Sequence, residues 1–127
     1  MPTLTLTLSS HPLAVCRLEP GAPVPAWATQ GPLFSVTRTP EELSVVCIYG
    51  DVPEGVKREG PWAAFKVEGP LDFGLTGILA SLTAPLARDG IPVFALSTYD
   101  TDYLLVKEER REAAAASLRG AGFSVKT

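Results

Sequence analysis

Six consecutive residues, Ser97-Thr98-Tyr99-Asp100-Thr101-Asp102, bring three aliphatic hydroxyls, a phenol and two carboxylates into one short stretch. Carboxylates accept strong hydrogen bonds from an ammonium or guanidinium group, and hydroxyls orient whatever is held there. A second stretch, Gly69 to Gly77 (GPLDFGLTG), opens an apolar, helix-periodic run and carries glycines that let main chain approach a ligand closely. Free N–H groups at a helix start, reinforced by the helix dipole, suit a carboxylate. The two stretches together have the parts of a zwitterion clamp, with Gly74, Leu75 and Thr76 offering main chain and Asp72, Asp100 or Asp102 offering carboxylate. Each acid also has a structural alternative: Asp72 can cap the helix behind it, and Asp100 and Asp102 can hold their own turn. Ser97 and Thr98 can likewise satisfy the end of a sheet. Catalysis finds little support, because the chain has no metal-ligand spacing, nucleophile elbow or phosphate loop, and His11 stands alone.

The elements that must position these residues are legible on both sides. Gly90 to Val106 reads as a hairpin with a two-residue apolar period on both arms and the polar stretch at its tip. Both faces of the arms are apolar, so cover is expected on both sides of the sheet. Leu75, Ile78, Leu79, Leu82 and Leu86 fall on one helical face, and Pro85 is expected to kink or divide that helix. Trp62 to Glu68 and Phe123 to Lys126 read as strands and Glu108 to Leu118 as a second helix, with acids at its start and Arg119 at its end. The order from Trp62 onward is β-α-β-β-α-β, an α+β arrangement of ferredoxin-like type with both helices on one face of an antiparallel sheet. In the first half, Leu13 to Leu18, Phe34 to Thr37 and Leu43 to Tyr49 read as strands. Thr3 to Leu8 reads as an edge or outer strand, and Pro23, Pro25 and Trp27 allow only a short helical turn. Thr39-Pro40-Glu41-Glu42 starts like a helix but runs at once into β-branched sequence, which predicts a single turn feeding a strand. The polar, glycine- and proline-rich stretch from Gly50 to Pro61 is the expected boundary, giving units 1–60 and 61–127 that share an element order and no residue-level repeat.

Composition narrows the partners. The 127 residues carry a net charge of -3 with 20% charged side chains, which lacks the basic footprint of a nucleic-acid binder. Neither an amino-terminal export pattern nor a membrane-length apolar run is present in the sequence, so a cytoplasmic protein is expected. Cys16 and Cys47 lie in separate apolar runs and read as small buried hydrophobes.

Three segments carry a family resemblance: Phe34 to Cys47, Val67 to Leu79 and Gly90 to Val106. They resemble the ACT domain, and more narrowly the small bacterial tandem-ACT proteins related to the cytosolic arginine sensors of animal cells. The S-T-Y-D-T-D-Y hairpin is the specific element. The resemblance implies tandem ACT units, the first of them reduced, and a non-catalytic regulatory or sensor protein without a cofactor. It further implies a free amino acid or similar small ligand held between units, and a homodimer that supplies the fuller assembly. It places ligand contacts on the loop at Asp72, Phe73, Gly74, Leu75, Thr76 and Gly77, and on the hairpin at Ser97, Thr98, Tyr99, Asp100 and Asp102. The alternative is an interaction module that dimerises through its sheets and takes no ligand.

Overall fold

Runs of β-branched and apolar residues, punctuated by proline and glycine, build eight strands among the described residues and leave room for two α-helices there. The computed structural model describes residues 4–69 and 76–127. In chain order the strands are β1 (Thr5–Leu8), β2 (Leu13–Leu18), β3 (Ser35–Arg38), β4 (Leu43–Ile48), β5 (Lys57–Val67), β6 (Phe94–Ser97), β7 (Asp102–Lys107) and β8 (Ser124–Lys126). Helix α1 (Ile78–Arg88) precedes β6, and α2 (Arg111–Gly120) precedes β8. The chain divides into two compact units, His11–Trp62 and Ala63–Thr127 together with Met1–Ser10.

In the first unit the strands lie in the order β3-β4-β2-β5, all antiparallel, with β5 contributing its first half. The chain order is that of a ferredoxin-like unit, but 3-10 turns at Ala26–Thr29 and Tyr49–Asp51 stand where helices would be. Pro20, Pro23 and Pro25 explain the first reduction, since proline cannot donate a helical hydrogen bond and steers the residue before it out of the helical region. Ala14, Cys16, Leu43, Val45 and Cys47 form the core. Leu13 pairs with Trp62 and Val15 with Glu59, so β5 carries one extra residue there, a β-bulge. Gly60 sits in that bulge at φ 140°, and a Cβ on it would stand 2.9 Å from the Leu13 carbonyl oxygen. Only glycine fits.

In the second unit the order is β6-β7-β5-β1-β8, with β1 antiparallel to β5 and parallel to β8. Phe65 and Val67 from β5, Leu104 and Val106 from β7, and Leu6 from β1 share one buried cluster with Leu82 and Leu86 of α1 and Leu118 of α2. Both helices therefore cover the same sheet face, as the element order predicts. Ala114 and Ala115, buried in the same cluster, let α2 lie close to the sheet. On the opposite face Leu105 is fully buried while Phe94, Leu96 and Tyr103 are half-buried.

Four expectations are corrected. Strand β1 is interior to its sheet instead of an edge, because residue alternation reports which face is wet and carries no information about lateral neighbours. It also belongs with residues 63–127, so the division at residue 60 gives way to a discontinuous second unit. The expected boundary at Gly50 to Pro61 is half strand, since β5 starts at Lys57. Pro85 does not divide α1, which continues to Arg88 with Leu82, Pro85 and Leu86 all buried. Burial on both sides of the missing N–H holds the turn; a buried leucine contributes about 1.5–3 kcal/mol.

Candidate functional site

The tip of the β6–β7 hairpin is a tightly bonded corner. Ser97 and Asp102 face each other at the end of the ladder, and Ser97 Oγ donates to Asp102 Oδ1 at 2.6 Å. Within the turn the Thr98 N–H donates to the Thr101 carbonyl at 2.8 Å, and Thr98 Oγ1 donates to the same oxygen at 3.1 Å. The Thr101 N–H returns a bond to Thr98 Oγ1 at 3.3 Å. The structural alternative thus holds for Ser97, Thr98 and one oxygen of Asp102. Tyr99 and Asp100 form the apex, Tyr99 being 80% exposed and Asp100 exposed as well.

Thr101, outside the expected set, proves central to placement. It is buried, and its Oγ1 donates to the carbonyl of Val67 at 2.5 Å, fastening the corner to the end of β5. A threonine in a polar turn gives no outward sign of this, because burial comes from a strand distant in sequence. The next residue, Glu68, accepts from Thr7 Oγ1 at 3.0 Å and donates its N–H to Thr5 O at 2.8 Å. The end of β5, the start of β1 and the hairpin corner therefore meet at one end of the unit.

The same end is where α1 begins. Strand β6 starts at Phe94, at the far end of the hairpin from the corner, so a helix that joins β5 to β6 must run back along the sheet with its amino terminus near the corner. Gly77 is the N-cap residue at φ 76°, in the left-handed region, and its carbonyl accepts from Ser81 N at 2.9 Å. The cap provides no side-chain acceptor, and the first turn contains no acid. First-turn N–H groups of a helix need an acceptor from outside it. Thr76 and Gly77 are exposed at this mouth, whereas Asp72, Phe73, Gly74 and Leu75 lie outside the described residues.

Elsewhere the chemistry is quiet. Cys16 and Cys47 are free thiols, both buried, and Cys47 Sγ donates to the Ile48 carbonyl at 3.7 Å. Desolvation by burial, with the neighbouring Cys16 sulfur and Asp51 adding to it, pushes Cys47 up to about 12, and burial raises Cys16 as well. A nucleophilic cysteine needs the opposite shift. No group of three or more metal-ligating side chains forms among the described residues, and no helix there is long and apolar enough to cross a membrane. Open grooves of about 490, 470 and 540 Å³ flank α1 and α2, and none is lined by a corner residue.

A family model described as the ACT domain matches residues 57–120, and a second model, of an N-terminal domain, matches residues 12–55. The chain is 34% identical over 91 residues to the Bos taurus protein named cytosolic arginine sensor for mTORC1 subunit 1, a match covering 60% of this chain. It spans 26% of that relative's length. A crystal structure of an Agrobacterium tumefaciens protein superposes with a TM-score of 0.91 at 39% identity, covering 98% of this chain and 93% of that one. The regulatory subunit of aspartate kinase from Thermus flavus shares the fold, with a TM-score of 0.63 at 11% identity, covering 94% of this chain and 99% of that one.

Proposed function

This chain belongs to the ACT domain family, and on that premise we propose that it is a non-catalytic, cytoplasmic regulatory module that binds a free amino acid at the helix-mouth end of its second unit. The carrying observation is the Thr101–Val67 hydrogen bond, which fixes the polar corner at the strand end that leads to α1, whose N-cap Gly77 offers no side-chain acceptor. The ligand carboxylate takes the first-turn N–H groups beyond Gly77, aided by the loop at Gly74, Leu75 and Thr76. Its ammonium faces Asp100, with Asp72 as the second candidate. Phe73 and Tyr99 border the ligand, while Ser97, Thr98 and Asp102 shape the corner through the bonds described above. A homodimer completes the site. Likeness in sequence to a protein named as an arginine sensor supports this reading.

A second reading is an interaction module with no ligand, favoured by the way the corner satisfies its own hydroxyls. Thermal unfolding of the purified chain against each common amino acid, with light scattering for oligomer state, separates the two. A ligand at a hundredfold excess over its Kd adds about 2.7 kcal/mol to stability and raises the midpoint. A folded dimer whose midpoint moves with none of them selects the interaction module.

A further inference from the structure

The first unit carries a second copy of the corner. Between β3 and β4, the Thr39 N–H donates to the Glu42 carbonyl at 2.9 Å and Thr39 Oγ1 donates to the same oxygen at 3.4 Å. The N–H groups of Glu41 and Glu42 return to Thr39 Oγ1 at 3.2 Å. Thr98 and Thr101 repeat this pattern on the same two ferredoxin-like strands of the second unit. Each corner is also fastened to the first strand of its own unit: Arg17 of β2 donates to Glu41 O at 2.9 Å, as Thr101 does to Val67 O.

The residue before each corner threonine differs. Ser97 turns onto Asp102 within its own hairpin. Arg38 instead reaches over to the loop that follows the first strand of its unit, where its Nη1 donates to the Pro20 carbonyl and its Nη2 to the Ala22 carbonyl at 2.8 Å. This loop is the counterpart of the one that leads from β5 to α1. Where the second unit begins an α-helix with outward N–H groups, the first has a proline-broken loop that presents carbonyls, and a guanidinium is the cation whose planar fork meets two carbonyls at once.

We propose that the first unit keeps its cup filled from within the chain, with Arg38 standing where a ligand would, and that the Pro20 and Ala22 carbonyls form a cradle specific for an alkylguanidinium cation. The equivalence of the two cups rests on the binding role proposed above; the cradle does not. One chain therefore takes one amino acid, at the second unit.

The test needs no amino acid, so its outcome is separable from that of the binding screen. Arg38→Ala is unfolded thermally with and without millimolar N-methylguanidinium, with tetramethylammonium at equal ionic strength as control. The variant melts below the wild type and N-methylguanidinium restores much of the loss, while tetramethylammonium does not and the wild type does not gain. Equal shifts in variant and wild type, or no rescue of a folded variant, overturn the cradle. Should Arg38→Ala fail to fold, nuclear magnetic resonance of the wild type decides. Slowly exchanging Arg38 guanidinium protons support the bonded fork, and protons averaged with solvent refute it.

Discussion

The two units share one strand order and differ in what joins the strands. In the first, β2, β3, β4 and the start of β5 are linked by 3-10 turns, and the loop after the first strand closes on Arg38. In the second, β5, β6, β7 and β8 are linked by full α-helices, and the corresponding loop opens into a glycine-capped helix mouth. The corners are alike in hydrogen bonding, down to the threonine that makes them. What differs is the crossover: helices give the second unit a deep apolar layer and a directed set of N–H groups, and the first, without them, has a smaller core of Ala14, Cys16, Ala28, Leu43, Val45, Cys47 and Val52. A helical crossover thus gives the second unit a row of helix-start N–H groups that the first unit lacks.

The contrast in depth is broken most forcefully at the centre of the second unit. Phe65 is fully buried in the cluster shared by both helices, and Phe65→Ala is expected to cost about 3–5 kcal/mol, read as a fall in urea midpoint. Ala14, fully buried in the first core, has no such volume to remove. Hydrogen exchange on the variant should show protection lost in α1, α2 and β7. Equal loss in β3 and β4 would mean the two layers do not differ as described.

The fastening of the corners provides a finer comparison. Thr101→Val keeps the shape, removes the donor and strands the buried Val67 carbonyl, so about 1–3 kcal/mol is expected. Arg17→Met at the equivalent fastening removes an exposed bond to Glu41 O and should cost less than about 1 kcal/mol. If the proposed site is right, Thr101→Val also weakens amino-acid binding beyond what lost stability explains, and Arg17→Met leaves it alone. At the helix mouth, Gly77→Ala should cost about 1 kcal/mol because φ is 76°, with nothing within 4 Å for the new methyl to strike.

The hairpin, the helix faces and the ferredoxin-like order were readable because two-residue and 3.6-residue periods are local properties. Lateral order was not, which is why β1 reads as an edge and sits between β5 and β8. The corner was legible as polar, and the turn-holding alternative the sequence offers for Asp102 agrees with its bond to Ser97. Thr101 looks incidental and carries the buried link. The repeat escaped for a related reason. Thr39 and Thr98 occupy equivalent places, yet the residues around them, R-T-P-E-E-L against S-T-Y-D-T-D, share only that threonine. Beyond the threonine hydroxyl, the motif is made with main-chain groups, which any of the neighbouring residues supplies.

At neutral pH the smallest effect of all belongs to the thiols, and it grows with alkalinity. Cys47 is raised from 9.0 to about 12 by burial, so the folded protein holds the proton that the unfolded chain releases. The resulting stability is complete below pH 9 and declines from there toward pH 12, because a raised pKa favours the folded state only while the unfolded group stays protonated. Cys47→Ala removes the titrating group and should flatten the stability profile above pH 9, at the cost of a small cavity at all pH values. The second unit has no cysteine, so the alkaline loss should appear in hydrogen exchange of β2 and β4 before it reaches β7. A profile equally steep with and without Cys47 would move the cause to other groups and remove the thiol pair from the contrast between the units.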